Sequence, residues 1–216
     1  MLSATASTRA PAWNWDSNNQ YTAILSDRSP PRRTQGVEGS AVRDVRATFS
    51  SMIWTLTKGH PRMKIGVISD THGLLRPEVA PALAGVDRIL HLGDVGKISI
   101  LRELEKIAPV TAIRGNIDRA GPCSELPEME VVLAEGRYIY MLHDLNTLHL
   151  DPAAGRFAAV LFGHTHKPAL YKKKGVLYFN PGSCGPRRFE LPITVGLLAI
   201  EESGEITAEI VPLIPV

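Results

Sequence analysis

The chain has 216 residues, of which 44% are hydrophobic, 21% are charged and 6% are aromatic, and its formal net charge is +2. This composition excludes fibrous and wholly disordered proteins, and because the apolar runs are shorter than the roughly 20 residues of a membrane helix, we expect no membrane partner. Two cysteines, Cys123 and Cys184, are too few for a disulfide framework. We interpret them as buried or incidental thiols in a reducing compartment, and we expect the protein in the cytoplasm.

The amino-terminal part of the chain differs from the rest in charge and composition. Residues 1–62 contain 8 Lys and Arg against 4 Asp and Glu, together with all three tryptophans, whereas residues 63–216 contain 16 against 18. The first segment lacks hydrophobic periodicity and is rich in Ser, Thr, Arg, Pro and Asn, so we expect a mostly disordered extension followed by one domain at residues 63–216. A translation start at Met63, a targeting arm and a partner-binding tail are alternative interpretations of this extension.

The charge of residues 63–216 bears on the partners of the domain. Because this part of the chain is slightly acidic, it gives no indication of nucleic-acid binding, which relies on a basic face. Its one dense basic run, residues 172–174, fits the solvated edge of a hairpin, since lysine commonly protects an exposed strand.

From residue 63 onward, apolar segments of strand length alternate with helical segments and with turns marked by glycine. A strand at 63–69, a helix at 77–84, a strand at 87–92, a helix at 99–107 and a strand at 110–114 predict a βαβαβ unit with a parallel sheet. Little helix separates the strands that follow. Strands at 130–133, 138–142, 158–162, 170–173, 176–179, 195–200 and 206–211 predict a second, largely antiparallel sheet.

Side chains that can bind a metal follow five of these predicted strands. They are Asp70 and His72, Asp94, Asn116, His143, and finally His164 and His166. One such residue at a strand end is usually a turn former, but five successive cases at the carboxyl ends of strands indicate a shared ligand crevice. Glycines directly before Asp94, Asn116 and His164 permit sharp turns into a crowded site.

The chemistry of these side chains restricts the ion. Two carboxylates, four imidazoles and one amide oxygen, without a thiolate, suit manganese, iron, zinc, cobalt or nickel, of which we favour manganese. Seven ligands exceed the needs of one tetrahedral ion, so we expect two divalent ions about 4 Å apart, bridged by one carboxylate. The first shell then keeps a formal charge of about +2, which favours binding of a phosphate ester.

The ordered motifs Asp-x-His, Gly-Asp, Gly-Asn, His and Gly-His-x-His resemble those of the calcineurin-like metallophosphoesterases. The compact size and the Asn-Pro-Gly-Ser sequence at residues 180–183 resemble the YfcE-like phosphodiesterase branch, and the resemblance spans residue 63 to about residue 211. It implies a four-layer α-β-β-α sandwich of two facing mixed sheets. It also implies that Asp70, His72 and His166 hold one ion, that Asn116, His143 and His164 hold the other, and that Asp94 bridges them, with Asp94 and Asn116 as catalytic residues.

The resemblance implies a dinuclear-metal phosphodiesterase acting on a phosphate ester, which we expect to be a small molecule. A bridging hydroxide would attack phosphorus in line while both ions stabilise the developing charge. Larger members of the superfamily carry a histidine after the Gly-Asn pair, where this chain has Ile117, so we expect a preference for acidic leaving groups. The alternative is a metal-binding protein-interaction scaffold, because the retromer subunit resembles the same family. The complete ligand set favours the enzyme.

Further polar residues lie outside the ligand set, and three of them have two interpretations each. Asp118 either orients a ligand or caps a turn, and Arg187 and Arg188 either bind a substrate phosphate or anchor the last strands. We interpret His91 as a hydrogen-bonded structural histidine, His149 as solvent-facing, and Ser183 as a turn residue rather than a nucleophile.

Overall fold

The computed structural model describes residues 12–15, 21–24 and 61–214 of the chain. Strands β1 (Ala12–Trp15) and β2 (Tyr21–Ile24) pair with each other in an antiparallel two-stranded sheet. The predicted disorder of residues 1–62 otherwise concerns residues outside the described part, so it stays a prediction, as does the domain boundary at residue 63. All other elements belong to one compact unit, Trp54–Pro215.

The elements of this unit follow the predicted order closely. The sequence runs through β3 (Met63–Ile68), α1 (Val79–Ala82), β4 (Arg88–Leu92), α2 (Ser99–Glu105), β5 (Val110–Ile113) and a 3₁₀ helix (Pro122–Glu125). It continues through β6 (Met129–Ala134), β7 (Arg137–Leu142), a second 3₁₀ helix (Leu145–Thr147), β8 (Phe157–Leu161), β9 (Ala169–Lys173), β10 (Val176–Asn180), β11 (Thr194–Ile200) and β12 (Ile206–Pro212).

The strands form two mixed sheets of five strands each. The first sheet has the order β12-β11-β3-β4-β5, with β3, β4 and β5 parallel, and the second has the order β6-β7-β8-β10-β9. In the second sheet β7, β8 and β10 are parallel, while β6 and β9 are antiparallel edge strands. The expectation of a second, largely antiparallel sheet is therefore wrong in two respects, because this sheet is mixed and because β11 and β12 join the first sheet.

Three apolar layers hold the two sheets and their covers together. The largest lies between the sheets, where Ile65, Val67 and Leu90 of the first sheet pack with Ile139, Met141 and Phe179 of the second. A second layer joins the outer face of the first sheet to α1 and α2 through Val79, Leu83, Ile100 and Leu104. The third lies on the outer face of the second sheet, which is covered by the 3₁₀ helix at Leu145–Thr147 and by the turn before β8. These two segments form the fourth layer of the predicted four-layer sandwich.

Both α-helices are shorter than predicted, and proline gives the reason for α1. Pro81 has no N–H to donate within the helix, and the next turn tightens, so that the N–H of Ala84 bonds the carbonyl of Pro81 at 3.4 Å. In the described part of the chain, no helix has the length and apolar character needed to cross a membrane.

Candidate metal centre

The seven predicted ligands come together at one end of the sandwich. Strands β3, β4 and β5 of the first sheet and β7 and β8 of the second all end near this point, and each is followed by one or two of these residues. An unbroken series of contacts of 2.9 to 3.7 Å links the seven side chains, in the order His164, Asn116, His143, Asp94, His72, His166 and Asp70.

The backbone at this site is unusual. Among the described residues, nine non-glycine residues have a positive φ, and five of them are predicted ligands, namely Asp70, His72, Asp94, His164 and His166, with φ between 46° and 69°. Side chains other than glycine rarely occupy this left-handed region, and such residues concentrate at functional sites.

The first group of ligands consists of Asp70, His72 and His166, whose ligand atoms all lie within 4.8 Å of one another. The Nε2 atoms of the two histidines face each other at 3.1 Å. One oxygen of Asp70 accepts hydrogen bonds from Ser69 Oγ at 2.6 Å and from the His164 N–H at 3.1 Å. The other oxygen, Oδ1, points at His166 Nε2 at 3.3 Å.

The second group is built around Asn116. Its Oδ1 lies 3.1 Å from Nε2 of His143 and 2.9 Å from Nδ1 of His164. Nδ1 of His143 lies 2.7 Å from the carbonyl of Leu92, which acts as acceptor and leaves Nε2 toward the site. Nε2 of His164 lies 3.9 Å from Oδ2 of Asp144, which is close enough for an ion pair but too far for a hydrogen bond. Sequence reasoning missed both of these partners, although Asp144 directly follows His143.

Asp94 lies between the two groups and presents one oxygen to each. Its Oδ2 is 3.7 Å from Nε2 of His72, and its Oδ1 is 3.4 Å from Nε2 of His143. Burial favours the neutral form of this carboxyl, but hydrogen bonds from His143 and from the Ile117 N–H at 3.0 Å outweigh it and lower the pKa of Asp94. The side chain is therefore an anion at neutral pH, with one oxygen facing each group.

The pKa values of the two histidines beside Asp94 are shifted in opposite directions. Burial lowers the pKa of His72 against the attraction of Asp94 and Asp70, which favours the neutral ring, whose Nε2 accepts a hydrogen bond from Arg188. Burial also disfavours the charged form of His143, but its hydrogen bond to Asp94 and the charge of Asp70 outweigh this and raise its pKa. Metal binding at His143 therefore competes with proton binding, because only the neutral ring is a ligand.

Two glycines allow this close packing. A Cβ on Gly115 would collide with the carboxylate and the backbone nitrogen of Asp94, and a Cβ on Gly163 would collide with Ser69 Oγ and approach Asp70 Oδ2 to 3.0 Å. The turns before Asn116 and His164 thus require glycine because their backbones touch the ligands of neighbouring strands.

Asp118 joins two of the turns that carry predicted ligands. This buried side chain accepts backbone hydrogen bonds from Val95 at 2.9 Å, Gly96 at 2.8 Å and Gly115 at 2.9 Å. It therefore fastens the turn after β4, which carries Asp94, to the turn after β5, which carries Asn116. This geometry joins the two predicted readings, because the carboxylate caps turns and those turns hold ligands.

Arg188 reaches the site from the loop between β10 and β11. Its guanidinium Nη2 lies 3.3 Å from Nε2 of His72, although the residue itself is exposed. No hydrogen bond or ion pair connects the neighbouring Arg187 to the ligands within the described part of the chain.

The remaining candidates have the structural roles that were expected. Ser183 Oγ donates to the carbonyl of Asp70 at 3.0 Å and is buried, so it shapes the turn. Both cysteines are free and buried, and burial raises the pKa of Cys184 to about 12, which removes it as a nucleophile. His149 is exposed. His91 is fully buried, with Nε2 2.9 Å from Thr71 Oγ1.

The donor set fits divalent cations. The buried Oδ1 of Asp70 accepts no hydrogen bond in the part of the chain that the structure describes, which is costly for a carboxylate oxygen that has no cation beside it. A second cluster of ligand atoms within 4.8 Å, formed by Asp70, Asp94 and His143, is fully buried. Nitrogen and oxygen donors of this kind suit first-row transition metals and zinc.

Comparison with known proteins agrees with this geometry. Residues 63–203 match the calcineurin-like phosphoesterase superfamily domain. A probable metallophosphoesterase of Methanothermobacter thermautotrophicus is 38% identical over 133 residues, which are 56% of this chain and 77% of that protein. The phosphodiesterase YfcE of Escherichia coli K12 is 27% identical over 169 residues, which are 63% of this chain and 87% of YfcE.

A solved structure shares the fold. Vacuolar Protein Sorting 29 from Cryptosporidium parvum superposes with a TM-score of 0.56 at 21% identity, covering 68% of this chain and 96% of that one. The sandwich of two facing mixed sheets agrees with the predicted fold class. The chain therefore belongs to the calcineurin-like phosphoesterase superfamily, in its YfcE-like phosphodiesterase branch, and is a metal-dependent phosphoesterase.

Proposed function

We propose that this protein is a dinuclear-metal phosphodiesterase that hydrolyses a small phosphate ester. The observation that carries the proposal is the position of Asp94, whose two oxygens face His72 at 3.7 Å and His143 at 3.4 Å in a buried site. A carboxylate that serves two groups of donors is the arrangement that a pair of cations requires.

Each ion has its own donors in this proposal. Asp70, His72 and His166 hold one ion, and Asn116, His143 and His164 hold the other, with Asp94 between them; manganese is the ion we favour. When bound, the two ions supply Lewis-acid charge to the phosphoryl oxygens and lower the pKa of water enough for in-line attack by hydroxide. The carbonyl of Leu92 orients His143, and the Ile117 N–H and Asp118 hold Asp94 and the turns in place.

Arg188 is the proposed anchor for the substrate. The Arg188 guanidinium hydrogen-bonds Nε2 of His72. When an ion binds this nitrogen, the guanidinium loses its acceptor, and its positive charge remains beside the site. Arginine binds phosphate oxygens through paired charge-assisted hydrogen bonds, so Arg188 is free to hold a non-reacting oxygen of the ester.

The scaffold alternative has less support. The fold itself is compatible with a protein-binding role, since fold does not determine function. A scaffold without a metal, however, leaves unexplained the five predicted ligands in the left-handed region and the carboxylate shared by two donor groups, and a metal-binding scaffold differs from the enzyme in having no hydrolytic activity. The two free buried cysteines support the predicted reducing, cytoplasmic compartment.

A metal-dependence assay tests the proposed function. The full chain is freed of metal and assayed on bis(nitrophenyl) phosphate with manganese, nickel or zinc, and the bound metal is counted by elemental analysis. We expect activity only with added ion, two ions per chain, and a loss of at least 100-fold in Asp94→Asn, because one bridging ligand is weakened. Asp87→Asn, at the other end of β4, is the matched control and retains activity.

Either of two results would contradict the proposal. Activity that survives complete metal removal excludes the metal mechanism, and a fully loaded protein that is inactive on all phosphodiesters tested favours the scaffold.

A further inference from the structure

The end of the sandwich opposite the metal centre contains a groove of about 800 Å³. Its lining includes Arg137 and Phe157, which begin β7 and β8, the two strands that lead to His143 and His164. Each of these strands spans roughly 20 Å at about 3.3 Å per residue, so nothing bound in the groove touches the metal ligands. The groove is therefore a separate site.

The groove is strongly basic. Four cationic side chains line it, from Arg137, Arg156, Lys172 and Lys174, against the single carboxylate of Glu205. Residues 63–216 as a whole carry 16 Lys and Arg against 18 Asp and Glu, so the positive charge is concentrated here in a domain that is otherwise acidic. A concave basic surface attracts anions more strongly than dispersed charges do.

The two lysines and the two arginines differ in their partners. Lys172 pairs with Glu205 at 3.5 Å, and Lys174 pairs with Asp151 at 3.0 Å. Arg137 and Arg156 make no ion pair within the described residues. The Arg137 guanidinium lies against Gly204, since its Nη2, Nε and Cζ are the atoms that a Cβ there would meet first. Arg137 is thus held beside Gly204 without a carboxylate partner among the described residues.

An exposed aromatic side chain lies at the margin of the groove. Tyr138 lines it and is 48% exposed. Because consecutive side chains of a strand leave opposite faces of the sheet, Tyr138 borders the groove on the face of β7 opposite to that of Arg137. Its ring is suited to stacking on a heterocyclic base only in a ligand long enough to extend from the arginines around this strand end.

We propose that this groove binds a small polyphosphorylated molecule, with its phosphates on Arg137 and Arg156. The volume is in the range of small-molecule sites, and two guanidinium groups match two or more phosphates bidentately. Residues 1–62 are no electrostatic complement to this groove, because they carry 8 Lys and Arg against 4 Asp and Glu. Two kinds of ligand carry such phosphates, inorganic polyphosphate and a nucleoside polyphosphate. In the second case, Tyr138 would stack on the base.

Calorimetric titration of the full chain tests this proposal. The probes are inorganic triphosphate and a methylene-bridged ATP analogue, each titrated into the wild type and into Asp94→Asn. The groove binds with equal affinity in both proteins, because its residues are remote from the metal centre. Arg137→Gln with Arg156→Gln weakens binding at least tenfold in both backgrounds, since each lost contact is a charge-assisted hydrogen bond. Arg102→Gln with Lys106→Gln on α2 removes the same charge and has no effect.

The probes also distinguish the two sources. If the ligand is a nucleotide, Tyr138→Ala weakens the ATP analogue severalfold and leaves triphosphate unchanged; if the site reads phosphate alone, Tyr138→Ala changes neither. The proposal is overturned if neither probe binds Asp94→Asn, or if the two arginine substitutions weaken binding no more than the α2 control. These results are independent of phosphodiesterase activity.

Discussion

Ile117 occupies a critical position beside the metal centre, directly after Asn116, and its side chain is 44% exposed. The residue contributes through its backbone, since its N–H donates to Asp94 Oδ1 at 3.0 Å. The isoleucine side chain has no proton to give a departing alkoxide. The chemistry that remains favours esters whose leaving group departs as a stable anion.

A histidine at this position changes the leaving-group dependence. In Ile117→His the backbone hydrogen bond to Asp94 is retained, and the imidazole provides a general acid, which typically contributes about 100-fold. We expect the rate ratio between nitrophenyl and alkyl phosphodiesters to fall by one to two orders of magnitude, roughly. Ile117→Leu is the control. An unchanged ratio in Ile117→His excludes the missing acid as the cause of the preference.

Arg188 provides a second test at the residue scale. Because its guanidinium lies 3.3 Å from His72 Nε2, its removal takes away the proposed phosphate contact without removing a predicted metal ligand. We expect Arg188→Ala to raise KM and the inhibition constant of inorganic phosphate by about tenfold each, with unchanged metal content. Arg187→Ala, one residue earlier, leaves both constants within about twofold of the wild type. Loss of bound metal in Arg188→Ala would assign it a structural role instead.

At the scale of elements, the strands were predictable to within one or two residues, because the central strands are apolar runs that end at a polar residue or a glycine and the edge strands β6, β9 and β12 are short apolar segments bounded by turns. The site residues were predictable for the same reason, since they follow strand ends. The sheet assignment of β11 and β12 was not, because Leu198 and Ile200 are apolar whichever sheet they join. The contacts of Leu92, Asp144 and Arg188 were also hidden, since they join residues distant in sequence.

Asp118 links elements rather than side chains, and its removal tests that link. Asp118→Ala removes the acceptor of three backbone N–H groups, of which only that of Val95 is buried, so we expect the free energy of unfolding to fall by about 1 to 3 kcal/mol. The turns that carry Asp94 and Asn116 then separate more easily, which should weaken metal binding by about 10- to 100-fold. Urea unfolding and metal titration measure these effects. Asp87→Ala, which removes the acceptor of a single N–H from Lys64, is the control and leaves metal affinity unchanged.

At the scale of the whole molecule, a buried chain of hydrogen bonds connects the core of the fold to the predicted ligands. Thr71 lies between the ligands Asp70 and His72, and its hydroxyl donates to the Val95 carbonyl at 3.0 Å. The same oxygen therefore accepts from Nε2 of His91, which assigns the neutral tautomer with the proton on Nε2. Nδ1 of His91 is buried without a hydrogen-bond partner in the described part of the chain. A proton on this nitrogen would have neither a hydrogen-bond acceptor among the described residues nor contact with water.

This arrangement makes the stability of the fold depend on pH. Burial is the main cause that lowers the pKa of His91 from 6.5 to about 4. Because the unfolded chain binds the proton more readily than the folded one, the stabilisation is complete above about pH 6.5 and is lost as the pH falls toward 4. At pH 4.5 we expect the wild type to have lost about 2 kcal/mol relative to neutral pH through this residue. His91→Gln keeps a donor for Thr71 without titrating, so its urea-unfolding free energy should fall less over the same range. Both proteins are measured in chelator, where the ligand histidines contribute equally and cancel; parallel stability curves would mean that His91 is not the residue responsible.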